Sequence, residues 1–544
     1  MHTSVLLPLW IGISYIIYRV AASVIDTRRH AAVAGRLGCQ PAYRIKDRTP
    51  FSLHSVWKVL KADKQFRVPQ YLKDRFDNIS REEGRNVTTI SQRIIGAEAH
   101  FTIEPRNIQA VLATQFKDFG LGERRNGNFS PLLGHGIFSA DGKEWEHARA
   151  LLRPQFARDQ VSDLELEEEH VKNMMRVIPV SRDGWTDVTN MQPLLFRLTI
   201  DSATEFLFGE SVDSQLSALP DYVSSRAANK VNEQDFATAF DKAQQTIALA
   251  SRLGDAYWMA FDKEFRENCN TCHKFIDHYV ELALSKEKGS TTKTTSSGKQ
   301  KYVFLDALVE ATRNPLELRS HMISILLAGR DTTASLLSYV VMLFTQHPAV
   351  YARLRTTILE AFGTYTHPKN LTFSTLKSCN YLQWILNETL RLYPVVPLDG
   401  RRALKDTTIP TGGGPHGTAP MYIRKGEQVD YSVYIMHRRT DLWGPDAEDF
   451  KPERWDARKS GWEYLPFNGG PRICIGQQFA LTEAGYVLVR LAQRFETIES
   501  VGNTWEAAGG GSEEGTGMGY VRHALSLTGC PADGVKVRMK EAAQ

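Results

Sequence analysis

Cys474 stands in the stretch FNGGPRICIG, residues 467 to 476. Gly469 and Gly470 precede it, Arg472 lies two residues upstream, Gly476 lies two residues downstream, and QQFALTEAGYVLVRLAQRF follows as a helix-forming run. Glycines let a backbone turn tightly and lie close against a flat surface. Free backbone N–H groups and the positive end of the following helix favour thiolate over thiol, and Arg472 can neutralise an anion nearby. A thiolate held this way, with room beside it, suits an axial ligand to haem iron. The plain alternative is a cysteine that only packs, as most buried cysteines do.

Three further groups of residues carry chemical potential. AGRDTT, residues 328 to 333, lies inside a long apolar helical run. Gly329 there costs roughly 1 kcal/mol relative to alanine. Thr332 can bond back to the carbonyl of Ala328 and bend the helix. ETLR places Glu388 and Arg391 three apart on one helix face, and WEHAR places Trp145 and Arg149 four apart on another. CNTCH, residues 269 to 273, fits the pattern of covalent c-type haem attachment. Phe265, Cys269, Cys272, Ile276, Tyr279 and Leu282 nonetheless recur at helical spacing, so the two cysteines read as the apolar face of an amphipathic helix.

The elements that must position these residues are mostly helical. LRSHMISILLAGRDTTASLLSYVVMLFTQHP is apolar nearly all round and stops at Pro348, which predicts a helix buried in a large core. STLKSCNYLQWILNETLRLYPVVP predicts a second helix stopped by Pro394, and ATAFDKAQQTIALASRL and LELEEEHVKNMMRVI predict amphipathic ones. Strand-like pieces are short: APMYIRKGEQVDYSVYIM and the tail GVKVRMK. Residues 285–301 and 507–519 read as surface loops, and GTGMG in the second lacks the strand and helix of a dinucleotide site.

The 544 residues are 42% hydrophobic and 24% charged, with a net charge of +4. This is the composition of a globular protein with a substantial core. No basic tract with interleaved aromatics marks a nucleic-acid binder. Six scattered cysteines are too few for a disulfide scaffold.

Residues 1–25 read as an N-terminal membrane anchor. Residues 3–25 as a helix would reach about 35 Å, against a hydrocarbon core of about 30 Å. Arg19 lies near one end and can snorkel. Arg28 and Arg29 follow the apolar run, so the positive-inside rule puts the bulk of the chain in the cytosol. A cleaved signal peptide is the rival, but no cation precedes the run. Residues 26–49 read as a linker, and 50–544 as one catalytic domain. Sequons fall at Asn78, Asn86, Asn128, Asn370 and Asn387.

With these residues in view, the chain resembles the cytochrome P-450 family, the haem-thiolate monooxygenases. Phe467, Gly470, Arg472, Cys474 and Gly476 match the family's haem loop. The resemblance implies a mainly α fold with a small β part, behind an N-terminal transmembrane helix. It implies haem b ligated by Cys474, with Phe467 and Arg472 in the cofactor loop and Trp145, Arg149 and Arg401 of PLDGRRA on the propionates. It implies a buried structural triad of Glu388, Arg391 and Arg454 of PERW. Asp331 and Thr332 would relay protons to O2. No convincing flavin or NADPH motif is present, so electrons would come from NADPH through a separate cytochrome P-450 reductase. That partner would dock near the Cys474 loop and Lys143, Arg149 and Arg153.

LLGHGIFSADGKEWEHARALLRPQF, AGRDTTASLLS and DTTIPTGGGPHGTAPMYIRKG resemble fungal and yeast enzymes that hydroxylate n-alkanes and fatty acids. The implied reaction is omega-hydroxylation of a long-chain lipid by an enzyme of the endoplasmic reticulum membrane. Asp399-Gly400 departs from the expected Asn-containing version and Arg330 fills a variable place, which leaves room for a terpenoid or polyketide intermediate. Phe138, Leu327, Ala328, Thr332, Val396 and Leu398 are candidate pocket residues. Rival classes are an O2-independent isomerase or dehydratase of the same fold and a haem-binding protein without turnover.

Overall fold

The computed structural model describes residues 3–47, 49, 52–94, 96–157, 164–219, 222, 233–285, 302–503 and 521–543. Of residues 3–9, 233 and 234 only the backbone is described. The two expected surface loops fall outside these ranges, apart from Ser285. Two compact units are present: Met1–Val56 with Asp74–Gly120 and Gly400–Tyr431, and Trp57–Lys73 with Leu121–Asp399 and Ser432–Gln544.

The smaller unit is built on a sheet whose strand order is Tyr43–Arg44, Thr89–Ile94, Ala97–Thr102, Gln428–Ser432, Leu398–Ala403 and Phe119–Gly120. Thr89–Ile94 and Ala97–Thr102 form an antiparallel hairpin in which Thr89 faces Thr102. A second hairpin joins Thr407–Gly413 to Ala419–Ile423.

Helix α1, Thr3–Arg36, belongs to the same unit. It runs through the first part of the stretch expected as a linker, and Tyr43–Arg44 pairs as a strand, so 26–49 is not irregular throughout. The physical reason is RRHAAVAGR: its alanines favour helix, Gly35 is tolerated one residue before the end, and Gly38 then turns the chain at φ +67°. His30 Nδ1 lies 3.1 Å from the Tyr422 hydroxyl, which ties the helix to the second hairpin. Trp10, Ile11, Ile13, Ile16, Ile17 and Ile25 are exposed. Among the described residues no helix is long and apolar enough to cross a membrane.

The larger unit is helical. Its helices include α2 Gly122–Leu133, α3 Gly142–Leu152, α4 Met191–Phe208, α5 Glu233–Arg252, α6 Lys263–Ser285, α7 Pro315–Gln346, α8 Asn380–Leu392 and α9 Gln477–Arg494. α7 starts on an Asn314 cap, whose side chain accepts from the amides of Leu316 and Glu317, with Pro315 preset for the first turn. Leu195 and Leu198 of α4, Leu337 and Leu343 of α7, Leu382 and Leu386 of α8, and Val487 and Val489 of α9 share one core. Each such side chain stabilises the fold by about 1.5–3 kcal/mol on burial.

The stretch from Ser374 to Pro394, expected as one helix, is two. Phe373–Ser378 ends at Cys379, whose ψ of 88° is non-helical, and α8 begins at Asn380. Thr372 and Thr375 form a capping box at the first piece, and Ser378 bonds the Thr375 carbonyl at 3.1 Å. These local hydroxyl bonds compete with helix continuation.

Candidate active site

The Cys474 loop is shaped by its own backbone. The Cys474 amide donates to the Phe467 carbonyl at 3.0 Å, and the Ile473 amide donates to the Gly470 carbonyl at 3.0 Å. Asn468 and Gly470 take left-handed φ values of 64° and 69°. A side chain at Gly469 would meet the Trp462 ring at 2.9 Å, so glycine is needed there. Phe467 is half-buried against the main core. The Cys474 side chain is exposed on its open side. The packing around its sulfur pushes the thiol above its ordinary value, while the Gly476 N–H and the Arg149 guanidinium oppose that rise. The expected backbone N–H acts on the sulfur, but the guanidinium that does so is Arg149 and not Arg472, and burial outweighs both.

α3 runs beside this loop. Trp145 is buried, and the Arg149 guanidinium lies 5.9 Å from its ring centroid. Arg472 stacks at 4.4 Å on the same ring. It also donates to the Ala140 carbonyl at 3.0 Å and to Asp141 Oδ1 at 2.7 Å. His147 points elsewhere and bonds Glu317 at 2.8 Å.

The buried middle of α7 presents one open patch. From Ser320 to Phe344, only Ala328, Gly329 and Thr332 are not buried. These residues fall on one face, at i, i+1 and i+4. Thr332 Oγ1 donates to the Ala328 carbonyl at 2.6 Å, as its spacing predicts. Asp331 does not share this face. It is buried beside Arg330, at 3.4 Å, and bonds Gln244 of α5. Burial pushes its carboxyl up, and Arg330 counters that shift.

Arg330 is buried too. It pairs with Asp241 of α5 at 2.5 and 3.3 Å, and lies 5.6 and 5.9 Å from the ring centroids of Phe196 and Phe240. Of the other candidate pocket residues, Phe138 and Leu398 are half-buried, Leu327 is buried and Val396 is exposed.

Glu388, Arg391 and Arg454 meet. Glu388 accepts from Arg391 Nε and Nη2, from Arg454 Nε and from the Lys451 amide and Trp455 Nε1, at 2.9 to 3.0 Å. The rest of the Arg391 guanidinium donates to the carbonyls of His437, Ala447 and Asp449. Every charge is thus hydrogen-bonded, the condition a buried network must meet.

His437 carries this order to the cysteine loop. It contacts the Arg391 carbonyl through Nδ1 at 3.1 Å and accepts the Leu465 amide on Nε2 at 2.9 Å. Burial holds its value down at about 3, so it stays neutral. Nothing in HRRT singled this histidine out. Asp141 was also missed, because an aspartate ahead of GKEW reads as an ordinary helix cap.

Arg401 lies in the smaller unit, buried, with its Nη1 on the Gly400 carbonyl at 2.7 Å. CNTCH lies on α6 with Cys269 and Cys272 buried, and His273 Nε2 bonds the Leu132 carbonyl at 2.8 Å. Leu282, placed on the same apolar face by its spacing, is exposed. Two sequons are occupied by packing. Asn128 Nδ2 donates to the Ile247 carbonyl and to Ser251, and Asn387 Oδ1 accepts from Tyr464.

The Cys474 donor set fits a thiolate-ligated haem: a sulfur open on one side, an amide and a guanidinium acting on it, and a loop that needs glycine beneath an aromatic ring. Comparison with known proteins agrees. The family model described as cytochrome P-450 matches residues 57–506. Cytochrome P-450 monooxygenase g430 of a Fusarium species is 49% identical over 533 residues, 97% of this chain and 90% of that protein. Cytochrome P-450 52A12 of Debaryomyces hansenii is 44% identical over 499 residues, 90% of this chain and 92% of that protein. Cytochrome P-450 52A5 of Candida maltosa is 45% identical over 454 residues, 82% and 84% of the two chains. The crystal structure of a mutant haem domain of cytochrome P-450DA shares the fold, with a TM-score of 0.68 at 20% identity over 93% of this chain and 98% of that one. The chain therefore belongs to the cytochrome P-450 family of monooxygenases, which work with a thiolate-ligated haem and electrons passed from NAD(P)H by a redox partner.

Proposed function

We propose that this enzyme hydroxylates a long-chain fatty acid or alkane, preferentially at its terminal carbon, with Cys474 as the iron ligand. The observations that carry the chemistry are the exposed Cys474 in its glycine-rich loop and the open patch in the buried middle of α7, at Ala328, Gly329 and Thr332. When bound, haem supplies activated oxygen for insertion into an unactivated C–H bond. Haem iron bound there would be held by Cys474 as a thiolate. By the family resemblance Trp145, Arg149 and Arg401 would hold the haem propionates, and Phe467 and Arg472 would shape the loop. Thr332 presents its hydroxyl to O2 on the open face of α7. Asp331, one residue away on the α5 side and with its carboxyl pushed up by burial, would deliver a proton when it turns from Gln244 toward Thr332. Glu388, Arg391 and Arg454 take no part in the chemistry.

The substrate class rests on the sequence resemblance to alkane and fatty-acid hydroxylases and on the relatives numbered 52A. The exposed apolar run from Trp10 to Ile25 supports anchoring of α1 in the endoplasmic reticulum membrane, with the catalytic domain in the cytosol and substrate drawn from the bilayer. Electrons come from NADPH through a membrane-bound cytochrome P-450 reductase. A second reading, oxidation of a terpenoid or polyketide intermediate, is favoured by Asp399, a carboxylate paired with Arg125 at 2.7 Å where the resemblance leads one to expect an Asn-containing segment.

The reduced CO complex of the wild type will absorb at about 450 nm, and Cys474→Ser will not. With reductase, NADPH and a panel of lipids, the expected product is an omega-hydroxy fatty acid. Turnover of a terpenoid with no lipid oxidised would overturn the substrate and leave the enzyme class standing.

A further inference from the structure

We infer that Asp141 is a positioning residue that fastens α2 to the Cys474 loop, an inference that rests on Cys474 being the iron ligand. Asp141 occupies the cap position of α3, with extended φ and ψ of −122° and 165°. An aspartate there ordinarily accepts an amide of its own helix, which is worth about 1 kcal/mol. Asp141 makes no such bond. Its Oδ1 accepts the Leu121 amide and its Oδ2 the Gly122 amide, both at 2.9 Å. Leu121 is right-handed and Gly122 left-handed at φ +77°. Two successive amides in that conformation form a concave anion site, and here the anion is a side chain of the same protein.

The remaining capacity of Oδ1 goes to Arg472 Nη2, at 2.7 Å. Arg472 is 8% exposed and Asp141 22%, so solvent screens this pair weakly. One carboxylate thereby joins the first turn of α2, the start of α3 and the residue two positions before Cys474. A second tie runs parallel to it. Asp399 accepts from Arg125 Nη1 of α2 at 2.7 Å and from Asn468 Nδ2 of the cysteine loop at 3.1 Å. Two carboxylates, distant in sequence, thus link the same helix to the same loop. The cap bond that α3 forgoes is replaced by charge-assisted bonds across segments, which fix the loop's position more firmly than a local cap would.

The role requires that neutralising Asp141 leave Arg472 a buried cation without its anion, in the loop that carries the sulfur. The loop then shifts and the thiolate ligand is lost more readily. The test uses the full-length haem-loaded enzyme and reads the reduced CO spectrum after a fixed incubation. Asp141→Asn is expected to raise the ratio of the blue-shifted band, formed when the thiolate is lost, to the band at about 450 nm by about tenfold, the factor for about 1.4 kcal/mol. Arg472→Gln cuts the same pair while leaving Asp141 on the α2 amides, and is expected to give a rise of similar size. The double variant should add little to either, because the two residues act through one contact.

An unchanged band ratio in Asp141→Asn overturns the inference, as do additive effects in the double variant. If Asp141→Asn does not fold, an unchanged ratio in Arg472→Gln overturns it alone. A wild type without the 450 nm band, or Cys474→Ser with it, overturns the ligand assignment and this inference together. A normal wild type beside an unaltered Asp141→Asn overturns only the inference.

Discussion

Replacing Glu388 by glutamine keeps the shape of the side chain and removes the charge on which two buried guanidinium groups depend. Glu388 and Arg391 are fully buried and the Arg454 side chain is 8% exposed. Five donors converge on the Glu388 carboxylate. A glutamine offers one acceptor oxygen and turns an N–H₂ group toward donors that need an acceptor. Breaking a buried pair by removing one partner costs about 3–5 kcal/mol, a large part of the roughly 5–15 kcal/mol that holds a domain folded. Unfolding entropy scales at about 2.1 cal/mol/K per residue, so a chain of 544 residues unfolding cooperatively has about 1.1 kcal/mol/K. The expected drop in melting temperature is then about 3–5 °C.

The damage should be felt at the cysteine loop, because the Arg391 carbonyl meets His437, and His437 receives the Leu465 amide. Differential scanning calorimetry of Glu388→Gln, with haem content read from the Soret band, measures both effects. A melting temperature within about 1 °C of wild type, with full haem content, would refute the reasoning, because it would mean that the two arginines had found other anions.

Thr332→Ala removes the one hydroxyl on the open face of α7. Product formed per NADPH consumed is expected to fall by about 10², with substrate-induced spectral shifts unchanged, as measured by product analysis against cofactor oxidation. Glu483 of α9 is buried and accepts a hydrogen bond from Ser202, and burial pushes its carboxyl up to about 7 from 4.5. The folded chain therefore binds more protons than the unfolded one in that interval. This contribution to stability is fully present below about pH 4.5 and is lost as pH rises through about 7, a total of about 3 kcal/mol. Glu483→Gln should remove that decline, and denaturant titrations of both proteins at several pH values will show it. Deleting residues 1–25 should move the protein from the membrane pellet to the supernatant on fractionation while leaving the CO spectrum intact; continued pelleting would speak against the anchor.

What could be read from the sequence was chemistry fixed by spacing along one helix or within one loop. The back-bond from Thr332 to Ala328 and the contact of Glu388 with Arg391 involve four and three residues of one helix, and both are present. The two cysteines of CNTCH are buried as their helical period requires. What could not be read was direction. Asp331 and Thr332 are neighbours, so a relay between them looked automatic. Yet adjacent helical residues point about 100° apart, and only Thr332 reaches the open face. The same rotation buries Arg330 against α5, where the residue at this variable place pairs with Asp241. Helix ends were equally hidden, because alanines carry α1 through residues that look like a linker, while local hydroxyl bonds stop a run that looks continuous at Cys379.

The site's accuracy therefore depends on long-range polar contacts that no local pattern announces. The cysteine loop is held from below by His437, which relays the order of the Glu388 network to Leu465, and from the side by Asp141 and Asp399. Glycines at 469 and 470 give the loop its turn but also its freedom. A loop with that freedom cannot keep a sulfur within the few tenths of an ångström that a metal bond demands unless other elements restrain it. The restraints are three contacts, from a neutral histidine and two paired carboxylates, so losing any one should loosen the loop without unfolding the core behind it.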